Sequence, residues 1–166
     1  MKIIFITLFL LFGSFLQATN CSETIRQIAS EPKNLKIRQI IETRSLKFFL
    51  ENTHPITGMV RDRANAFENI PKSNTMSSIA ATGFGMTIMA HAANNGKMPK
   101  AEAEKNIENA LEFAFTLEQH KGWLPHFVEW ESGKRIEGSE ISTIDTGIFI
   151  SGALYAAEMF PQNKKI

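Results

Sequence analysis

The sequence predicts an all-α fold in which amphipathic and wholly apolar helices alternate, the arrangement of an α/α toroid or barrel. Segments 34–51 and 99–119 carry apolar residues at helical spacing on one side and charged residues on the other. Segments 76–94 and 143–160 have almost no polar face, which is typical of buried helices. An amphipathic helix followed by a buried one, twice over, favours antiparallel pairs with a surface layer and an inner layer.

The first 18 residues have the pattern of a secretory signal peptide. Lys2 is followed by an apolar run over residues 3–12, and the small residue Ala18 stands where cleavage is expected. The apolar run is shorter than the roughly 20 residues needed to span a bilayer, which favours a cleaved signal peptide. The alternative is that the segment stays uncleaved as an anchor. We therefore expect residues 19–166 to form the mature domain, in the periplasm or secreted, with no other membrane segment.

Capping residues and prolines predict the helix boundaries. Residues 22–31 can form a short helix that ends before Pro32. The apolar helix 76–94 ends at an Asn-Asn-Gly sequence, and Pro99 occupies the first position of the next helix. The last helix, 143–160, ends before a proline.

Two long segments between these helices, 53–75 and 123–142, are predicted to be irregular or hairpin-like. Each leads from an outer helix into the start of an inner one, so both lie on the same face of the fold. Long loops gathered at helix N-termini are where binding or chemistry is expected.

The composition excludes several classes of protein. The 166 residues suffice for one domain with a core, and an apolar share of 43% argues against disorder. A formal net charge of +1 gives no attraction for nucleic acid or an anionic membrane. The single cysteine, Cys21, can form neither an internal disulfide nor a multi-thiolate metal site, and no residues stand at metal-ligand spacing.

Aromatic and charged side chains in the two loops point to carbohydrate. The second loop brings rings and carboxylates together, a combination that suits sugars, and the first contributes a carboxylate beside a guanidinium, which can hydrogen-bond to hydroxyls. The alternatives are loop anchors for the rings and a surface ion pair for the charges. The residues concerned are Trp123, His126, Phe127 and Trp130 in the second loop, and Asp62 and Arg63 in the first.

Two further carboxylates precede or begin the last helix. Asp145 follows Ser142 by three residues, so its carboxylate could complete a capping box. Glu140 precedes the cap and has no such structural role, which leaves either a site residue or a solvated loop carboxylate.

Several blocks of the sequence resemble the glycoamylase-like domain family, which includes bacterial endo-β-1,2-glucanases and a region of cyclic β-1,2-glucan synthases. They are residues 58–63 (GMVRDR), 77–85 (SSIAATGFG), 133–135 (GKR) and 138–146 (GSEISTIDT). Met59 stands where leucine is commoner in the family. The resemblance covers residues 35–160.

The resemblance implies an (α/α)6 barrel that hydrolyses β-glucan by acid/base catalysis with inversion and without a cofactor. It places Asp62, Glu140 and Asp145 in the sugar cleft as catalytic candidates, without saying which is the acid. Arg63 would line the cleft with them, and Arg135 joins the loop aromatics as a candidate substrate contact.

The expected fold is the N-terminal portion of that barrel and is incomplete, because six hairpins need twelve helices and this sequence supplies about five. We expect the inner helices to expose apolar surface unless self-association or a complementing chain covers it. The alternatives to an enzyme are a non-catalytic carbohydrate-binding remnant and a helical interaction module.

Overall fold

The computed structural model describes residues 26–27, 30–64 and 75–166. Residues 1–18, the predicted signal peptide, lie outside this range. The elements are α1 (Pro32–Asn52), β1 (Met76–Ser78), α2 (Ile79–Asn94), α3 (Lys100–Ala114), β2 (Phe127–Glu129) and α4 (Thr143–Met159). The predicted all-α class is confirmed. No helix in the described ranges has the length and apolar character needed to cross a bilayer.

The chain divides into two compact units, Met1–Arg44 and Ser45–Ile166. In the first unit Arg26, Gln27 and Ser30 are helical, and α1 begins at Pro32. Proline is favoured at a helix start because it needs no hydrogen-bond partner for a backbone N–H. The second unit contains the rest of α1, all the other elements and every candidate site residue.

Helix α2 begins three residues later than the sequence predicts. Met76–Ser78 is a strand that pairs antiparallel with Phe127–Glu129, so it cannot be the first turn of a helix. Ser78 is the N-cap of α2, because its Oγ accepts a hydrogen bond from the N–H of Ala81 at 3.2 Å. The prediction of helix from residue 76 is wrong for this reason.

Helix α3 is amphipathic, as predicted, but shorter than 99–119. Pro99 is its N-cap rather than its first helical residue, and the helix ends at Ala114. Its apolar stripe faces the core, where it meets residues of α2, α4 and the loops. The largest fully buried side chains are Phe160, Met59, Ile79, Met86, Met89, Ile107, Val60 and Val128.

The two inner helices, α2 and α4, pack through glycines. A Cβ added at Gly83 would lie 2.6 Å from the backbone oxygen of Ile148, and one added at Gly152 would meet the carbonyl of Gly83. Further along both helices, His91 Nδ1 lies 3.2 Å from the hydroxyl of Tyr155, so the helices run in the same direction.

The start of α2 and the start of α4 repeat the same contacts. Thr82 Oγ1 accepts a hydrogen bond from the N–H of Val60 at 3.1 Å and donates to the carbonyl of Ser78 at 2.9 Å. The residues 64 positions later make the equivalent contacts; they are Thr146, Leu124 and Ser142. The two inner helices therefore belong to two copies of one structural unit.

One face of α4 is exposed, although the helix is apolar on nearly every side. Ile144 is 75% exposed and Leu154 is 67% exposed. Gly147, which corresponds to Gly83 in the repeat, has nothing within 4 Å of an added Cβ. This is the exposure of inner-helix surface expected from the sequence.

Candidate active site

The described parts of the two long loops, residues 53–64 with 75 and residues 123–142, meet at the start of the inner helices, as the sequence predicts. Strand β1 follows the first loop, strand β2 lies in the second, and the two pair in register from Met76 with Glu129 to Ser78 with Phe127. On the edge of β1 opposite β2, the backbone N–H of Asp62 donates to the carbonyl of Met76 at 3.0 Å.

A cluster of three predicted site residues forms at the start of α4. His126 Nδ1 lies 2.9 Å from Glu140 Oε1, and His126 Nε2 lies 3.6 Å from Asp145 Oδ1. The backbone N–H of His126 also donates to the carbonyl of Glu140 at 2.8 Å. The structure thus places one imidazole between two carboxylates.

Asp145 is only half of the capping box that its spacing suggests. Ser142 is the N-cap of α4 and accepts from the N–H of Asp145 at 3.1 Å. A complete box would also have the Asp145 carboxylate accept from the backbone N–H of Ser142, but that N–H donates to Leu124. The carboxylate instead contacts the Ser142 hydroxyl through Oδ2 and faces His126 through Oδ1.

Glu140 is the accessible member of the cluster, since its side chain is 65% exposed. The hydrogen bond from its own backbone N–H lowers the pKa of Glu140, and the hydrogen bond from His126 lowers it further. Arg135 adds a smaller electrostatic contribution in the same direction. The carboxyl group is therefore ionised at neutral pH.

Asp62 forms an ion pair with Arg63 next to strand β1. Asp62 Oδ2 accepts from Arg63 Nε at 2.6 Å, with the carboxylate mostly shielded and the guanidinium mostly exposed. Within the described residues, the Asp62 carboxylate pairs with Arg63 and the Asp62 backbone N–H donates to the carbonyl of Met76. The structure does not bring the Asp62 side chain into contact with Glu140.

Trp130 is anchored in the protein. Its indole N–H donates to the carbonyl of Met59 at 3.0 Å, and the Arg61 guanidinium carbon lies 3.6 Å from the ring centroid. His54 packs edge-on against the same ring at 4.6 Å. Trp123, by contrast, is 40% exposed at a turn. Of the two tryptophans, Trp123 is the more exposed.

Phe127 and Arg135 support the loop that carries Glu140. The Phe127 ring stacks on His126 with centroids 3.6 Å apart, and its backbone N–H donates to Ser139 Oγ at 2.8 Å. Arg135 Nε donates to the carbonyl of Ser139 at 2.7 Å, and another guanidinium nitrogen pairs with Glu118 at 3.0 Å. The Phe127 backbone and the Arg135 side chain therefore both hold Ser139, the residue next to Glu140.

Three residues that contribute to this site were not predicted from the sequence. Ser139 ties the Glu140 loop to Phe127 and Arg135, while Thr82 and Thr146 tie each long loop to an inner helix. The two threonines could have been found from the sequence, because the pattern Ser-x-x-x-Thr-Gly occurs at residues 78–83 and again at 142–147. Among the described residues, no group of three or more His, Cys, Asp or Glu side chains is arranged to hold a metal ion.

The chain is similar in sequence to one curated protein, although no family model matches it. This relative is the exo β-1,2-glucooligosaccharide sophorohydrolase (non-reducing end) of Parabacteroides distasonis, with 21% identity over 154 residues. The match covers 89% of this chain and 20% of the relative, so the chain spans about a fifth of that protein's length.

Two solved structures share the fold. An endo-β-1,2-glucanase from Chitinophaga pinensis, in complex with sophorotriose and glucose, superposes with a TM-score of 0.69 and 21% identity over 78% of this chain and 32% of that one. A β-1,2-glucanase from Parabacteroides distasonis gives a TM-score of 0.64 and 23% identity over 76% and 18%.

These likenesses define the class of fold. The chain has the fold of part of a glucoamylase-like α/α barrel, which confirms the resemblance inferred from the sequence blocks. It corresponds to about a third of the solved Chitinophaga chain and to less of the Parabacteroides enzyme.

Proposed function

We propose that this protein is an exported glycoside hydrolase that acts on β-glucan, with β-1,2-glucan as its substrate, by inverting acid/base hydrolysis. The observation that carries the proposal is the cluster of Glu140, His126 and Asp145 where two loops meet at the start of α4. The relatives with this fold are named for β-1,2-glucan chemistry, which supports the choice of substrate.

Glu140 is the residue best suited to act on a sugar. Its side chain is largely exposed, and it stands on a loop that Ser139, Phe127 and Arg135 hold in place. Inverting hydrolysis needs a second carboxyl group, roughly 6.5–9.5 Å away, so that one protonates the leaving oxygen while the other activates water. Asp62 and Asp145 are the candidates that the sequence offers for it.

Trp123 and Arg63 are the proposed substrate contacts outside the cluster. The partly exposed indole of Trp123 can stack on the C–H face of a sugar ring, and the Arg63 side chain, which pairs with Asp62, is largely exposed. The anchored Trp130 contributes by shaping the first loop.

The test is hydrolysis of linear β-1,2-glucan by the full chain, followed as release of reducing ends, with β-1,3- and β-1,4-glucans as comparison substrates. The proposal expects release from the β-1,2-linked polymer, and proton NMR of the first product should give the α-anomer, as inversion of a β-linkage requires. Saturable binding without release would instead identify a sugar-binding protein. Neither binding nor release would favour a helical interaction module.

Export is tested separately. N-terminal sequencing of the protein from the periplasm or medium should begin near Thr19. Recovery of the uncleaved chain from the cytosol would contradict this part of the proposal.

A further inference from the structure

His126 is connected on both sides of its ring. Nδ1 faces Glu140 Oε1 at 2.9 Å and Nε2 faces Asp145 Oδ1 at 3.6 Å, while Asp145 Oδ2 contacts the hydroxyl of Ser142. The side chains of Ser142, Asp145, His126 and Glu140 therefore form one continuous line of polar contacts. An Nδ1 that carries hydrogen donates to Glu140 Oε1, whereas the 3.6 Å between Nε2 and Asp145 Oδ1 is longer than a hydrogen bond and is an electrostatic contact.

The two carboxylates have different surroundings. Both oxygens of Asp145 face partners inside the protein, and its side chain is only 13% exposed. Glu140 uses Oε1 for His126, and most of its side chain is open to solvent. Glu140 can therefore reach a substrate, whereas Asp145 is held inward.

The ring itself cannot turn freely. Phe127 stacks on the imidazole at an interplanar angle of 20°. The backbone N–H of His126 donates to the carbonyl of Glu140, and the backbone N–H of Phe127 donates to Ser139 Oγ. These two hydrogen bonds join the segment that carries His126 to the segment that carries Glu140. A ring fixed in this way can fix the direction of the carboxylate that it contacts.

We propose that His126 is a positioning residue, which Asp145 anchors and which in turn orients the Glu140 carboxylate toward the substrate. The inference rests on the proposed function, since it assigns the action on sugar to Glu140. It moves His126 from the predicted substrate contacts to the support of Glu140, and it makes Asp145 an anchor. Asp62 then remains as this chain's candidate for the second carboxyl group.

The charged groups around Glu140 make the link measurable. His126 and Arg135 lie in the same loop as Glu140. Glu118 pairs with Arg135, and Asp145 lies on the far side of the imidazole. The hydrogen bond and charge of His126 both lower the pKa of Glu140. Removal of the two ring nitrogens should therefore raise that pKa.

The experiment is a pH titration of the Glu140 side-chain carboxyl carbon by NMR, in the full chain and without substrate. His126→Phe keeps a ring against Phe127 and removes both nitrogens, whereas His126→Asn retains a donor near Nδ1. His120→Phe is the control, because His120 is exposed and pairs with Trp123 through its backbone. We expect the Glu140 midpoint to move to higher pH in His126→Phe, less in His126→Asn, and not in His120→Phe. Equal midpoints in the wild-type and His126→Phe proteins would overturn the proposal.

Asp145→Asn tests the anchor. Loss of the Asp145 charge acting directly on Glu140 would lower the Glu140 midpoint, whereas loss of the support of His126 raises it. A midpoint at higher pH in Asp145→Asn is the expected result, and one at lower pH would overturn the role of Asp145 as an anchor.

Kinetics on linear β-1,2-glucan separate positioning from substrate binding. We expect His126→Phe to lower kcat by about tenfold or more, as for a displaced catalytic group, with KM within about twofold. A raised KM with unchanged kcat would make His126 a sugar contact and overturn the proposal. An inactive wild-type chain would contradict the proposed function, while the titration would still decide whether His126 controls Glu140.

Discussion

Gly83 and Gly147 provide a matched test of how the inner helices pack. Both are interior residues of apolar helices and are related by the 64-residue repeat, so a change to alanine alters helix propensity equally. Their surroundings differ, because a Cβ at Gly83 would lie 2.6 Å from the carbonyl oxygen of Ile148, whereas one at Gly147 meets nothing within 4 Å. The difference between the two variants therefore isolates the contact between α2 and α4.

The expected magnitudes follow from these distances. Alanine in place of glycine in a helix interior stabilises by about 1 kcal/mol. Overpacking at Gly83 costs about 3 kcal/mol, the upper part of the usual range, because the atoms in the way are backbone. Gly83→Ala should thus lower the free energy of unfolding by about 2 kcal/mol, and Gly147→Ala should raise it by about 1 kcal/mol.

Urea denaturation followed by circular dichroism measures both values on the full chain. Equal changes in the free energy of unfolding for the two variants would refute close packing of α2 on α4 at Gly83. A destabilised Gly147→Ala would show that the face of α4 around Gly147 is already covered.

Three further predictions concern pH and association. Burial lowers the pKa of His54, whose Nδ1 accepts from the N–H groups of Ile56 and Thr57. The contribution of His54 to stability should therefore be lost as pH falls below the ordinary histidine pKa. Thermal melts of the wild-type protein and His54→Asn across that pH range test this. The pKa of Glu140 is lowered in the folded state. The contribution of Glu140 to stability is therefore present above the ordinary glutamate pKa and is lost as pH falls through the lowered pKa. The stability difference between wild type and Glu140→Gln should accordingly shrink on acidification. The exposed apolar face of α4 should cause self-association, with a mass above that of a monomer in light scattering, and Leu154→Glu should reduce it.

Local sequence signals predicted the helices and some of their ends. Ser142 and the apolar run after it located α4 to within one residue, because capping and helical periodicity depend on near neighbours. The pairing of β1 with β2 was missed, since it joins residues about 50 positions apart through strands of three residues each. Such a pairing leaves no local sequence pattern. Because residues 76–78 form β1, α2 begins at Ile79 and not at residue 76 as predicted.

The site was predicted as a set of residues but not as an arrangement. The sequence indicated Glu140, Asp145 and His126, but it could not place one imidazole between the two carboxylates, because that depends on how the second loop folds back at Pro125 and Ile141. The capping spacing of Asp145 was also ambiguous. The backbone contact of Ser142 with Leu124, which comes from tertiary structure, directs the carboxylate to other partners.

The central claim is that Glu140 acts on β-1,2-glucan, and the most direct measurement is the initial rate of reducing-end release by Glu140→Gln. Glu137→Gln is the matched control, because Glu137 is an exposed carboxylate in the same loop. The account predicts that Glu140→Gln loses on the order of a hundredfold or more in kcat at a temperature where the variant remains folded, while Glu137→Gln keeps the wild-type rate. Equal rates for wild type and Glu140→Gln would contradict it and leave Glu140 as a solvated loop carboxylate.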